Sequence, residues 1–259
     1  MDGTLSLTQA QVEEFHRRGF ITLRGVFSPE EIKSNRPAIR DYIMRSRQAL
    51  DSSEQAIGAS SRKAVCSLEE APQEVAGFIK SLRLGEIAAR LLNVDSVRIL
   101  HFTGFFKSGG GPATPWHQDL TFIPLDTEKA LSIWVPLIDI TPDMGALIFA
   151  EGSHLHGQLN PATAKERFPI RQNGSMRAGD VSVHMGWTLH TSLKNSSATM
   201  REAVAISYYA DGARIRLNSN VPMIQSFLDT YFAGLAAGDL AVGPMTPVVF
   251  PRTDSSSRD

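Results

Sequence analysis

The chain is 259 residues long and 42% hydrophobic, with 26 basic against 27 acidic side chains and a formal net charge of −1. That length buries a full core in one domain, and so even a charge balance offers no basic field to nucleic acid or an anionic membrane. A lone cysteine, Cys66, excludes an internal disulfide and any thiolate-rich zinc or iron–sulfur site.

Residues 8–18 place Val12 and Phe15 on one helical face, and Gly19 stands where that helix should end. Phe20 to Leu23 reads as a short strand. Ser28-Pro29-Glu30-Glu31 carries three start signals together: a serine N-cap, a proline at the first helical position and a glutamate three residues past the cap. The helix it opens runs into the 40s, with a bend expected at Pro37. Residues 51–70 are small and polar without a period, which predicts a loop over a site, and 72–92 reads as amphipathic helix. Cys66 in that loop region is expected to be a buried, inert thiol.

From Ser96 the period shortens. Val97 to Phe106 is β-rich and runs into the breaker cluster Gly109-Gly110-Gly111-Pro112. Strands follow at 115–122, 130–138, 145–150, 179–185 and 201–210, while 154–178 and 211–225 read as long irregular connections. Met223, Phe227, Leu228, Tyr231 and Phe232 recur at helical spacing within 222–238, where core packing is the default and a pocket cap or dimer contact stays open. The pattern predicts a mainly β protein with flanking helices as one domain over 1–259: a helical layer (1–95), a β-roll core (96–210) and a C-terminal segment (211–259). No leader opens the chain, and no apolar run approaches the roughly 18 residues a membrane span needs. The expectation is a cytoplasmic protein, monomer or homodimer, that takes a small-molecule substrate and no nucleic-acid or membrane partner.

Trp116-His117-Gln118-Asp119 carries the chemistry. Residues i and i+2 of an extended strand face the same way, so the His117 imidazole and the Asp119 carboxylate can grip one ion together. His-x-Asp alone is common. Its weight comes from a second stretch, in which Gly179-Asp180 opens a strand and His190-Thr191-Ser192, Asn195-Ser196 and Arg201 follow. Two imidazoles and one carboxylate on one side of a metal, with the other side open, make the facial triad of non-haem iron(II) sites. The remaining histidines fit less well. His154-Leu155-His156 lacks a nearby carboxylate and reads as a loop or substrate contact; His184 loses the Thr-Ser sequel and lies farther from Arg201; His16 belongs to a surface helix. His101 lies on a strand bordering the expected pocket, where a substrate or cosubstrate contact stays open.

This arrangement resembles the phytanoyl-CoA dioxygenase family of Fe(II)/2-oxoglutarate oxygenases through most of the chain. The likeness runs from Leu7-Thr8 and Gly19-Phe20 through the Trp116 to Asp119 box, Leu131-Ser132-Ile133-Trp134-Val135-Pro136-Leu137, Asp143-Met144-Gly145-Ala146-Leu147 and Gly152-Ser153-His154 to Gly179-Asp180, His190-Thr191-Ser192, Asn195 and Arg201. The resemblance implies a double-stranded β-helix core of jelly-roll, cupin-like form, Fe(II) as metal, 2-oxoglutarate as cosubstrate and O2. It implies His117, Asp119 and His190 as iron ligands and Arg201 as the cation that pairs with the distal carboxylate of 2-oxoglutarate. A guanidinium suits that task because its two parallel N–H groups fix both place and orientation. Ser192 is expected to donate a further hydrogen bond there, the plainer reading being a strand serine bonded only to backbone. The resemblance makes Trp134 an aromatic wall beside 2-oxoglutarate, which core packing explains as well. Trp116 and Trp187 are expected to support the ligands hydrophobically. Lys107 stands where the family often carries Lys-Pro, but Ser108-Gly109-Gly110 replaces the proline, so a solvated lysine is expected.

The implied reaction oxidises an unactivated C–H bond of a small molecule while 2-oxoglutarate is decarboxylated to succinate, as in a secondary-metabolite tailoring step of antibiotic biosynthesis. Hydroxylation, cyclisation, desaturation and epimerisation stay open as outcomes. Halogenation needs the carboxylate ligand replaced by a small residue, and Asp119 is present. The alternatives are a non-oxidative metal enzyme on the same scaffold, against which Arg201 speaks, and an acyl-CoA hydroxylase, for which no phosphate cradle or basic cluster is found.

Overall fold

The computed structural model describes residues 7–53, 64–66, 68–217 and 222–251. Its elements are α1 (Gln9–Arg18), β1 (Phe20–Leu23), α2 (Pro29–Ser53), β2 (Ala64–Cys66), α3 (Gln73–Ile79), α4 (Leu82–Leu92), β3 (Val97–Gly104), β4 (Ala130–Pro136), β5 (Leu147–Ala150), α5 (Pro161–Ala164), β6 (Ile170–Gln172), β7 (Val181–Met185), β8 (His190–Ser192), β9 (Ala203–Ala210), α6 (Pro222–Tyr231) and β10 (Val248–Phe250). The local start and stop signals act as their chemistry requires. Thr8 and Gln11 close a capping box on α1, and Gly19 ends it in the left-handed region at φ 82°. At α2 the Glu31 N–H donates to Ser28 Oγ (3.1 Å) while the Ser28 N–H donates to the Glu31 carboxylate (2.7 Å).

Two antiparallel sheets face each other. The larger runs β1-β7-β4-β9-β3-β10 with β2 also on β3, and the smaller runs β6-β5-β8. Period-2 alternation decides what each face of the larger sheet does. On β4, Leu131, Ile133 and Val135 turn outward and pack with Val183, Val204 and Ile206 against Ile39 and Ile43 of α2 and Ile87 and Leu91 of α4. Each such fully buried side chain contributes about 1.5–3 kcal/mol, so the helical layer carries the hydrophobic stabilisation. The inner face, with Ser132 and Trp134 of β4 and Ala205 and Ser207 of β9, is thereby left to line a cavity between the sheets. This is the expected double-stranded β-helix with flanking helices.

Several boundaries differ from the sequence reading. The N-terminal layer and the C-terminal segment both contribute strands to the larger sheet, β1 through β7 and β10 through β3. The helix expected over 72–92 breaks at Lys80 and Ser81 into α3 and α4. The stretch read as irregular over 154–178 holds α5 and β6. The expected strand over 115–122 is extended only through Gln118 (φ −121°, ψ 130°) and turns into a 3-10 helix over Asp119–Phe122. The loop expected over 51–70 falls largely outside the described residues, as does the side chain of Cys66. No helix among the described residues is long and apolar enough to cross a membrane.

Gly179-Asp180 serves as a joint between β7 and the turn after β1. Gly179 has φ +92°, and the carbonyl of Phe27 occupies the space its missing Cβ would take. Asp180, 4% exposed, accepts hydrogen bonds from the Gly25 N–H (2.9 Å), the Arg177 N–H (2.8 Å) and the Arg24 guanidinium (2.7 Å). Asp180→Ala strands two backbone donors and is expected to cost roughly 2–4 kcal/mol, read as a lower denaturant midpoint, with metal affinity of the folded protein unchanged.

Candidate metal centre

His117 and His190 sit opposite each other as an isolated antiparallel pair. They exchange both backbone bonds, His117 N–H to His190 O at 3.0 Å and His190 N–H to His117 O at 2.9 Å, which extends the smaller sheet beyond β8 and brings their rings to 4.2 Å between centroids. Between the two N-terminal donors, Gln118 points the other way. Its amide donates to the carbonyls of Gly157 (2.8 Å) and Trp187 (2.7 Å) and accepts from Leu159 N–H (2.7 Å). Fixed by that buried residue, His117 and Asp119 share a side even though Asp119 already opens the 3-10 turn.

One ligand atom each from His117, Asp119 and His190 lies within 4.8 Å of the other two. Asp119 Oδ1 stands 3.6 Å from His117 Nε2 and 3.8 Å from His190 Nε2. In both imidazoles Nδ1 faces the carbonyl two residues earlier, Pro115 and Thr188, each at 2.9 Å. A carbonyl only accepts, so Nδ1 carries the proton and Nε2 keeps its lone pair for a metal. Burial, joined by the charges of His184 and His117, holds the His190 imidazolium well below the usual histidine range. Burial alone would raise the Asp119 carboxyl, but His190 and the His184 hydrogen bond outweigh it and hold that group well below the usual carboxylate range. Neutral imidazoles with an ionised carboxylate are the donor set that ferrous iron takes, so these residues fit the metal.

The second carboxylate oxygen is occupied. Asp119 Oδ2 accepts from Ser132 Oγ (2.7 Å) and His184 Nε2 (3.1 Å). Ser132 Oγ meets Ser207 Oγ at 2.8 Å, and Ser207 Oγ meets His101 Nε2 at 3.4 Å. With Oδ2 engaged in this way, Asp119 is held to offer Oδ1 alone. Neither Ser132 nor His184 stood out as a supporting residue in the sequence. The alternation of β4, which puts Ser132 on the face of Trp134, is the signal that finds Ser132; nothing local marks His184, which reaches Asp119 through the β4–β7 pairing that sets it opposite Ser132.

At the other end of this inner face lies Arg201, 2% exposed. Its Nη1 donates to the Gly145 carbonyl, its guanidinium carbon lies 5.4 Å from the Trp134 ring centroid, and its Nε is buried with no acceptor, as is Trp134 Nε1. Lys107 overturns its expectation of solvation. It is 5% exposed, held there because it exchanges backbone bonds with Arg201 (2.9 and 2.8 Å), and its Nζ donates to Ser192 Oγ and the Leu193 carbonyl, both at 2.7 Å. Ser192 Oγ also meets Thr114 Oγ1 at 2.8 Å, so its partners are side chains and not only backbone. Burial and then the Arg201 charge push the Lys107 ammonium down to about 7, and burial brings Arg201 down to about 10. Among the described residues no carboxylate pairs with either cation. Two buried cations and two orphaned N–H donors beside a metal triad suit a small dicarboxylate.

The triad, Ser132, Trp134, Ser192 and Arg201 line one cavity of about 440 Å³, with Lys107 reaching Ser192 from outside that lining; the cavity also takes in Thr191 and Leu147 from the smaller sheet and Phe227 and Tyr231 from α6. That size lies within the usual range of small-ligand sites. The apolar stripe of α6 therefore does two things: Ile224 and Leu228, with Phe232 just past the helix, fill a core cluster that Tyr231 joins, while Phe227 and Tyr231 also line the cavity. Trp116 packs against the apolar cluster of Ala150, Ala164 and Leu189, and Trp187 against that of Leu100, Leu120 and Tyr209. His154 and His156 stand apart from the triad, the first bonded to the His16 carbonyl at 2.9 Å and the second tilted against Phe168.

The family model described as phytanoyl-CoA dioxygenase (PhyH) matches residues 15–203. A phytanoyl-CoA dioxygenase of Arabidopsis thaliana is 23% identical over 252 residues, which covers 78% of this chain and 89% of that protein. Among solved structures, the non-haem α-ketoglutarate-dependent carbocyclase SnoK of nogalamycin biosynthesis superposes with a TM-score of 0.78 at 21% identity, covering 94% of this chain and 96% of that one. The epimerase SnoN of the same biosynthesis gives 0.74 at 20% identity over 92% and 96% of the two chains. EctD from S. alaskensis with 2-oxoglutarate and 5-hydroxyectoine gives 0.68 at 22% over 84% and 83%. At such identities the solved structures establish the fold.

Ser132→Ala removes one of the two bonds on Asp119 Oδ2 and is expected to weaken Mn2+ binding about 10–100-fold, read by electron paramagnetic resonance of the free ion. An unchanged affinity would show that Ser132 merely packs.

Proposed function

The chain belongs to the phytanoyl-CoA dioxygenase family, and on that premise we propose that it is an Fe(II)- and 2-oxoglutarate-dependent oxygenase acting on an unactivated C–H bond of a small molecule. The observation that carries this reading is a single cavity holding both the His117–Asp119–His190 donors and the carboxylate-free Arg201. A non-oxidative metal enzyme has no use for that buried guanidinium.

In this reading His117 Nε2, Asp119 Oδ1 and His190 Nε2 would hold ferrous iron at the cavity, where 2-oxoglutarate and O2 are the co-reactants. When bound there, the iron supplies the oxidising chemistry, with 2-oxoglutarate ending as succinate and carbon dioxide. The chain's own residues bind and orient. Arg201 takes the distal carboxylate of 2-oxoglutarate through its fork, Lys107 adds a second positive charge behind Ser192, and Thr114 and Ser192 offer hydroxyls. Trp134 stiffens Arg201 from the side by a cation–π contact. Ser132 and His184 keep the Asp119 carboxylate from swinging, and the apolar walls exclude water. Positioning of this kind is what a protein adds to a cofactor that does the bond breaking. The Asp119 carboxylate argues against halogenation. That a carbocyclase and an epimerase of nogalamycin biosynthesis share the fold supports reading the chain as a tailoring enzyme of secondary metabolism, whose outcome is hydroxylation, or cyclisation or epimerisation through a substrate radical.

Arg201→Ala is expected to raise the 2-oxoglutarate concentration needed for half-maximal succinate formation by roughly 30-fold or more, with Mn2+ affinity nearly unchanged. Equal damage to both would count against the assignment. Lys107 makes a second test available. Its ammonium, lowered from the ordinary 10.5 to about 7 by burial and the Arg201 charge, rises toward the ordinary value when a carboxylate offsets that charge. Binding is therefore expected to take up to one proton between those two values and none well below the lower one. Calorimetry near pH 8 in buffers of different ionisation heat reads that uptake, and Lys107→Met should abolish it.

A further inference from the structure

Charge in the cavity is confined to one end. Past the triad, the wall is made by Phe122, Ile123, Phe227, Tyr231 and the imidazole of His101, with no carboxylate, lysine or arginine among the described residues that line it. Phe227 and Tyr231 stand 4.6 Å apart between ring centroids at 31°, and His101 meets Phe227 edge-on at 5.6 Å and 81°. Together they form an aromatic corner. The His101 ring is oriented from behind. Asp119 Oδ2 can only accept, so Ser132 donates to it and Ser207 donates to Ser132, which leaves Ser207 Oγ to accept from His101 Nε2. At the rim α6 presents the exposed Ser226 and Thr230; its sequence carries Asp229 and no base.

We propose that this end takes an uncharged, ring-bearing substrate seated on the Phe227–Tyr231 corner, and not an acyl-CoA or other polyanion; the proposal rests on the oxygenase reading for the role of the site. A flat neutral ring gains stacking of about 0.5–1.5 kcal/mol per aromatic partner beyond its buried area. An anion in the same place is stripped of water with no lysine or arginine among the described lining residues to meet it, since Arg201 and Lys107 lie at the cosubstrate end. Phosphates hanging past the rim on this side meet the Ser226 and Thr230 hydroxyls of a helix that carries no base.

The test uses three probes that separate shape from charge: 2-naphthol, naphthalene-2-carboxylate and octanoyl-CoA. The full chain is titrated calorimetrically near pH 7 with Mn2+ and 2-oxoglutarate saturating, so that the cationic end is filled. The expected result is a Kd for 2-naphthol at least about tenfold below that for the carboxylate, and no saturable binding of octanoyl-CoA. Phe227→Ala is expected to weaken 2-naphthol about tenfold, and Phe227→Leu, which keeps apolar volume without a ring, about threefold. Failure of 2-naphthol to bind, equal or tighter binding of either anion, or indifference to both Phe227 variants overturns the proposal. Binding of 2-oxoglutarate with Mn2+ is measured first and by itself. Its failure, with 2-naphthol still bound at the Phe227 corner, removes the oxygenase reading and leaves this one standing.

Discussion

The reciprocal backbone bonding of His117 and His190 is the constraint on which the rest of the site depends. Each residue spends both its N–H and its C=O on the other, which ties the segment before the 3-10 turn to the edge of the smaller sheet and fixes two imidazoles side by side. From that anchor Asp119 reaches the same ion position as the chain turns. Gln118, buried at 1% exposure, locks the turn by filling three backbone hydrogen bonds on the opposite side. The metal geometry is therefore set by main-chain pairing, which is more rigid than any arrangement of free side chains.

Around this anchor the two faces of the larger sheet divide the work. Its outer face is apolar and packs on α2 and α4, where hydrophobic burial stabilises the fold without regard to chemistry. Its inner face is then free to hold what a hydrophobic core would reject: an ionised carboxylate bonded to Ser132 and His184, and at some distance two cations with no anion among the described residues. Buried charges without partners are costly. Here Gly145, Ser192 and Leu193 supply acceptors for part of the cost, and Arg201 Nε and Trp134 Nε1 are the donors that the proposed dicarboxylate would satisfy. The fold holds Arg201 and Lys107 in place through their mutual backbone bridge, so binding does not have to order them.

Most of the β scaffold was legible in the sequence because its strands are short, β-branched and separated by breakers. The caps of α1 and α2 were legible for the same kind of reason, since capping is a matter of three or four adjacent residues. The strand expected over 115–122 was misread at its second half because alternation of apolar and polar residues does not distinguish an extended chain from a single 3-10 turn, and the contact of Leu120 N–H with the Gly186 carbonyl at 3.1 Å lies far along the chain. Lys107 was misread because a lysine before a glycine cluster looks solvated until β9 and the segment leading into it are laid beside it.

Sequence by itself determined which donor groups are available: His117, Asp119, His190 and Arg201 are residue types whose donors suit a ferrous ion and a carboxylate, and chemical type is a local property. Tertiary structure alone decided which groups support them. Ser132, His184, Ser207, Lys107 and the aromatic corner of Phe227 and Tyr231 come to the cavity from β4, β7, β9, α6 and the segment after β3, and only long-range strand pairing and helix packing bring such distant positions within hydrogen-bonding or van der Waals distance.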